Sequence, residues 1–174
     1  MPKIHFISPL DDVTLQKATV NDVTVNGTKC IGLHLSDDSG VSDVSLSGCA
    51  LKDVQFARSR WSDYSVNGTR LEQVTVAGSV LAAGRLMAVS ASGVRLDGAN
   101  FNSVSLEAMR LADAAFVNCR LNDVRFTGRK AGGIERTRFE NCAFSNVQFT
   151  GCTFTDCTLR NVDVSDLEVN DVDF

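Results

Sequence analysis

Proline is nearly missing from this chain: its 174 residues hold only Pro2 and Pro9, both ahead of the regular part of the sequence. Histidine is as scarce. His5 and His34 lie near the N-terminus, so the imidazole on which most acid–base and nucleophilic sites depend is in short supply. No Ser/His/Asp or Cys/His constellation is identifiable, and no catalytic residue is nominated. The six cysteines form no CxxC pair and have no histidine partner, which argues against a metal site. The segment Gly128 to Gly133 lacks the GxxxxGK[ST] arrangement of a phosphate loop, and no cofactor is implied. No basic-then-apolar leader opens the chain and no run of 18 or more apolar residues occurs. The protein is therefore expected to be cytoplasmic, with no membrane as partner.

What the sequence does contain is a period of five. Val41, Leu46, Leu51, Phe56, Trp61, Val66, Leu71, Val76, Leu81, Leu86, Ala91, Leu96, Phe101, Leu106, Leu111, Phe116, Leu121 and Phe126 are all apolar in a chain that is 44% apolar. Chance would produce this about once in a million, even allowing for five phases. The same spacing runs from Leu10 to Leu35, shifts by one residue within 36–40, and shifts by three within 127–133. It then resumes at Ile134, Phe139, Phe144, Phe149, Phe154, Leu159, Val164, Val169 and Phe174. Neither a helix, at 3.6, nor a flat strand, at 2.0, has this period.

Two residues before each central position the chain prefers small or β-branched types, among them Val54, Ala99, Val104, Cys119 and Cys142. Two residues after it stand Asp, Asn or Gly, as at Asp43, Gly48, Asp63, Asn118 and Asp156, the residue types that make tight turns. The unit is two inward residues, an outward one between them, and a turn. Such a chain must wind into a tube. Trp61, Phe101, Phe116, Phe126, Phe139, Phe144, Phe149 and Phe154 are expected to fill it.

Stretches such as Ala99-Asn100-Phe101-Asn102-Ser103 and Cys142-Ala143-Phe144-Ser145-Asn146 give the chain a sequence that resembles the pentapeptide-repeat family over nearly its whole length. Val often replaces Ala at the small position. The resemblance implies an all-β, right-handed quadrilateral parallel β-helix, a solenoid with four repeats and about 20 residues per coil. The 33 central positions then make about eight coils. At the spacing of stacked strands the rod would be ~40 Å long. Residues 1–174 read as a single domain, with 1–9 as a lead-in or cap and 36–40 and 127–133 as register-break loops. If residues 20 apart stack, one face carries Trp61, Leu81, Phe101 and Leu121, with Ser59, Ser79, Ala99 and Cys119 as their small partners. A neighbouring face pairs Tyr64, at a small position, with the modest Val66. Five cysteines take the small inward position and Cys30 a central one, where free cysteine behaves as a small hydrophobe. Cys119 and Cys142 would stack in adjacent coils, and no disulfide is expected.

Charge is uneven along the tube: −3 over residues 1–56, +5 over 57–138 and −6 over 139–174, within a net −4. The basic middle comes mostly from arginines in the outward slot before a central residue. Arg70, Arg95 and Arg138 have an acid two residues on (Glu72, Asp97, Glu140); Arg60, Arg85, Arg110, Arg120 and Arg125 do not. With Arg129 and Lys130 from the loop, these five form a candidate partner-binding belt. A second candidate is an acidic end patch: Asp156, Asp163, Asp166, Glu168, Asp171 and Asp173.

The five-residue period disfavours six-residue acyltransferase helices, and the chain lacks the long loops with which pectin-lyase-like helices build a cleft. Asn26-Gly27-Thr28 and Asn67-Gly68-Thr69 match glycosylation acceptors but fall on turn slots, no face carries a threonine ladder, and Asp37-Asp38 reads as loop chemistry. The expectation is a non-catalytic interaction rod that binds a protein partner, in an adaptor, immunity or assembly role, with oligomers through open coil ends as a further option. The resemblance implies an alternative: a DNA-mimicking binder of a type II topoisomerase (DNA gyrase or topoisomerase IV) that protects against quinolones or toxins. Direct nucleic-acid binding is not expected.

Overall fold

The computed structural model describes residues 4–5, 10–11, 14–36, 38–128 and 133–173. Most of the expected lead-in over 1–9 lies outside the described residues, as do Asp37, Arg129, Lys130 and Phe174. Every described element is a strand, and every pairing is parallel. The chain forms a solenoid of about 7 turns. That is one fewer than the eight counted from central positions.

Registers prove the winding. Val41, Trp61, Leu81, Phe101, Leu121 and Phe144 pair in succession on a first face. Leu46, Val66, Leu86, Leu106, Phe126 and Phe149 do so on a second. Leu51, Leu71, Ala91, Leu111, Ile134 and Phe154 make the third, and Phe56, Val76, Leu96, Phe116, Phe139 and Leu159 the fourth. The partner offset is 20 residues, rising to 21 across the first break (Thr19 with Gly40) and to 23 across the second (Leu121 with Phe144). Some strands, such as Asn100–Glu107 and Arg120–Thr127, run without interruption through a corner and join the first face to the second in one sheet. Ala50–Ala57 and Arg70–Ala77 join the third to the fourth in another.

Corners are made by one residue per repeat held in the left-handed region. Asp43, Asp53, Asp63, Asn118, Asn141 and Asp156 all have φ of 52–53°. Asn and Asp reach this conformation more cheaply than other side chains, which is why the turn slot selects them. At one corner they also form a ladder. Asn118 Nδ2 donates to Asp97 Oδ1 (3.1 Å), Asn141 Nδ2 to Asn118 Oδ1 (3.4 Å) and Asn161 Nδ2 to Asn141 Oδ1 (3.1 Å).

The interior is filled unequally. Trp61, Phe101, Phe116, Phe126, Phe139, Phe144, Phe149 and Phe154 are all buried. In the C-terminal half they stack: Phe116 lies 4.6 Å from Phe139 and Phe126 lies 4.7 Å from Phe149, ring centre to ring centre and nearly parallel. Between residues 62 and 96 every central residue is aliphatic, and Val66, Val76 and Ala91 are the smallest. In the last coil Leu159, Val164, Leu167 and Val169 are exposed, although the first, second and fourth continue the fivefold series, since no described strand stacks beyond them.

The small inward slot also takes polar side chains. Ser39, Ser59, Thr69, Ser79 and Thr137 are almost fully buried there. Ser79 donates to the Phe56 carbonyl one coil below, and Cys49, Cys119, Cys142 and Cys157 make the same kind of contact to Val25, Leu96, Phe116 and Ile134. The accepting carbonyls belong to central residues of the strands one coil away. Trp61 Nε1 donates to Ser59 Oγ (3.1 Å), which lies 3.2 Å from Ser79 Oγ. The serines below the bulky first-face residues thus supply both space and a partner for the indole.

Candidate functional site

The described candidate arginines and acids lie on the outer skin, because each repeat sends only its middle and turn residues outward. The structure divides the arginines among faces. Arg60 and Arg120 sit on the first face, separated by Val80 and Asn100, which places them three strand spacings, ~14 Å, apart. Arg85 and Arg125 sit on the second face and flank Ser105, so only two strand spacings, ~10 Å, separate them. Arg110 is on the third face. All five side chains are exposed. The expected belt therefore becomes a group of four on one sheet, with Arg110 around the corner.

The second face holds the densest set of polar contacts. Arg85 Nη2 donates to Glu107 Oε2 at 2.9 Å, Ser105 Oγ donates to Glu107 Oε1 at 3.0 Å, and Arg125 Nε donates to Gln148 Oε1 at 2.9 Å. The hydrogen bond from Arg85, then that from Ser105, holds the Glu107 carboxyl below its usual range. Beside it, Ser103, Asp123, Arg125, Asn146 and Gln148 line a shallow surface hollow. In it, Asn146 Nδ2 donates to Asp123 Oδ1 at 2.6 Å.

The acids fall on three faces and the corners of the final coil. Asp163 stacks on Ala143, Glu168 on Gln148 and Asp173 on Thr153, while Asp156 and Asp171 take turn slots. Asp166 lies beside them at the corner before Leu167, its carbonyl accepting from Val147 N.

Reading the sequence locally found the ion pairs Arg70–Glu72 (3.9 Å), Arg95–Asp97 (3.6 Å) and Arg138–Glu140 (3.4 Å). It missed those between coils. Arg85 meets Glu107, and Arg136 grips Asp113 through two bonds of 2.6 and 2.8 Å. Adding one coil to Asp113 leads to Arg136, and adding one coil and two further residues to Arg85 leads to Glu107. These partners stand 22 and 23 residues apart, the second number including the three-residue break.

The cysteines are interior. All six are free, five are buried, and Cys157 is half-buried. The hydrogen bond with Cys142, together with burial, pushes the Cys119 thiol above its usual range. Among the described residues, no three His, Cys, Asp or Glu side chains are grouped so as to hold a metal ion, and no helix is long and apolar enough to cross a membrane.

A family model for pentapeptide repeats matches eight copies over residues 92–128 and 135–174. Residues 92–128 and 135–174 thus carry pentapeptide repeats. The gap in the match coincides with the second register break, and the repeat registers continue through residues N-terminal to it. No curated protein matches the sequence. Among solved structures, this chain is similar to trypsin-treated QnrB1, a plasmid-mediated fluoroquinolone resistance protein, with 14% identity over 95% of this chain and 92% of that one and a TM-score of 0.49. It is also similar to HetL of the cyanobacterium Nostoc sp. strain PCC 7120, a pentapeptide-repeat protein involved in regulating heterocyst differentiation. There the identity is 14% over 94% and 88% of the two chains, and the TM-score is 0.44.

Proposed function

We propose that this protein is a non-catalytic interaction rod whose arginine-bearing sheet, formed by the first and second faces, binds an acidic protein surface. One observation carries the reading: Arg60, Arg85, Arg120 and Arg125 all project from that sheet at spacings fixed by the strand ladder. Side chains held on a rigid flat scaffold lose little freedom on binding, so even exposed charges can select a partner. Substituting these four with alanine is expected to abolish capture of the partner that the wild-type chain retains, whereas Arg110→Ala leaves it bound. Equal retention by both variants returns these arginines to plain solvated surface.

Topoisomerase binding is the second reading, favoured by the acids that surround the final coil on three faces. It predicts that the protein inhibits or protects DNA gyrase in a supercoiling assay, and that reversing Asp163, Glu168 and Asp173 to lysine weakens the effect. No effect of the wild-type protein in that assay removes this reading and leaves the first standing.

A further inference from the structure

The rod carries two surfaces of opposite charge on different parts of its length. On the arginine-bearing sheet, Arg85 and Arg125 are already engaged by Glu107 and Gln148. The side chains of Arg60 and Arg120 have no ion-pair or hydrogen-bond partner among the described residues. These two stand on the first face, and the outward residues between them, Val80, Ala82, Asn100 and Asn102, are uncharged. Val80 and Ala82 present half-exposed apolar surface. At the border with the second face Asp63 and Asp123 take turn slots and Glu107 lies beyond them; Asp123 accepts from Asn146, and Glu107 from Arg85 and Ser105. The strip is therefore charge-free at its centre and cationic at its two ends.

The final described coil has the complementary character. Leu159 is 54% exposed there, Val164 and Val169 45% each, and Leu167 39%. Around them Asp163, Glu168 and Asp173 stand on three faces, with Asp166 and Asp171 at corners. Asp163, Asp166, Asp171 and Asp173 have no ion-pair partner among the described residues, while Arg160 in the same coil is bound to Glu140 at 3.8 Å. Apolar side chains ringed by unpaired acids match a surface that is uncharged in the middle and cationic at the margins. They do not match a second acidic coil, which like charge repels.

We propose that the first face of one copy receives the acidic final coil of another, so that the chain is its own partner. This rests on the reading of the arginine-bearing sheet as a binder of acidic protein surface, and it names that surface. Arg60 and Arg120 meet the acids at the margins, while Leu159, Val164 and Val169 cover Val80 and Ala82. Two different surfaces are joined, so every copy keeps a free coil end or a free sheet and assembly continues beyond a pair.

Sedimentation of the full chain over a range of concentrations tests this. The average mass is expected to rise with concentration past that of two chains, and raising the ionic strength from about 0.05 M to about 0.5 M is expected to weaken association about tenfold. Arg60→Glu with Arg120→Glu should leave single chains, and so should Asp163→Lys with Glu168→Lys and Asp173→Lys. An equal mixture of the two variants should associate again, because each has kept the surface the other has lost; a contact between like surfaces gives no such recovery. Should a reversed variant not fold, Arg60→Gln with Arg120→Gln, or Asp163→Asn with Glu168→Gln and Asp173→Asn, repeats the loss. Wild-type protein that stays as single chains at low salt overturns the proposal. So does association that survives reversal of either set, or that the mixture fails to restore. None of these outcomes alters capture of a different partner by the sheet, which the four alanine substitutions test separately.

Discussion

At the scale of single residues the interior is governed by what stands one coil away. Gly84 is not a turn residue; it is the space that the Tyr64 ring occupies. Gly84→Ala is therefore expected to destabilise the protein by about 1–3 kcal/mol, the usual range for overpacking a filled core. Tyr64→Ala in the same chain should recover much of that loss. Equilibrium denaturation of the single and double variants measures the coupling, and additive effects would mean that the two positions do not meet. The sequence displayed half of this relation. Tyr64 stood out as too large for its slot beside Val66, and its complement at position 84 follows only once the coil length is applied. The serines under Trp61 behaved likewise: their small size was readable, but the hydrogen bond from the indole needed the three-dimensional placement of Ser59.

At the scale of the repeat, turn chemistry sets local stability. Most corners use Asp, Asn or Gly, yet Ala83 holds a φ of 49° with its side chain exposed. Left-handed backbone costs an alanine on the order of 1 kcal/mol, and asparagine tolerates it better. Ala83→Asn is thus expected to raise stability by up to about 1 kcal/mol, read as a shift in denaturation midpoint at unchanged slope.

Pairs between repeats add a pH dependence. Hydrogen bonding to Arg136 lowers the Asp113 carboxyl below its unfolded value, so the folded state binds that proton less readily. The contribution is complete above the ordinary aspartate range and is lost as pH falls through the lowered folded value. Asp113→Asn should match the wild type at low pH and fall below it near neutrality, flattening the acid limb by the same amount, which is small because the pair is exposed and screened. A chevron of midpoints against pH, at low and high salt, tests it. The repeat itself was legible from the fivefold apolar spacing and the Asp, Asn and Gly at each turn. The ion pairs that bridge coils were not, since contact there joins residues more than twenty positions apart.

For the whole molecule, each coil rests only on its neighbours, so stability can vary along the rod. Aromatic rings stack from Phe101 to Phe154, whereas the small central residues Val66, Val76 and Ala91 border a cavity of about 140 Å³ that reaches Phe101, Phe116 and Phe126. Amide exchange is expected to be slowest in Asn100–Glu107, Arg120–Thr127 and Ala143–Thr150, and measurably faster in Arg60–Ser62, Ser65–Asn67 and Ser90–Ser92. Uniform exchange along the rod would show that the aromatic stack adds nothing to local stability. Architecture on this scale was the most readable property of all, because a tube of fixed cross-section repeats its demands about seven times over. The grouping of arginines on one sheet was less so, since it depends on which of four directions each slot faces.

The offset of 20 residues between paired strands, constant from Gly40 to Thr127, makes the rod a ruler that can be recut. A tandem copy of residues 101–120 would graft in one whole coil already packed around Phe101 and Phe116, sliding Arg125 away from Arg85 by a single graduation of ~4.8 Å with neither side chain altered. A partner that gauges the distance between those two charges should then let go, while one that touches only a single end should hold on.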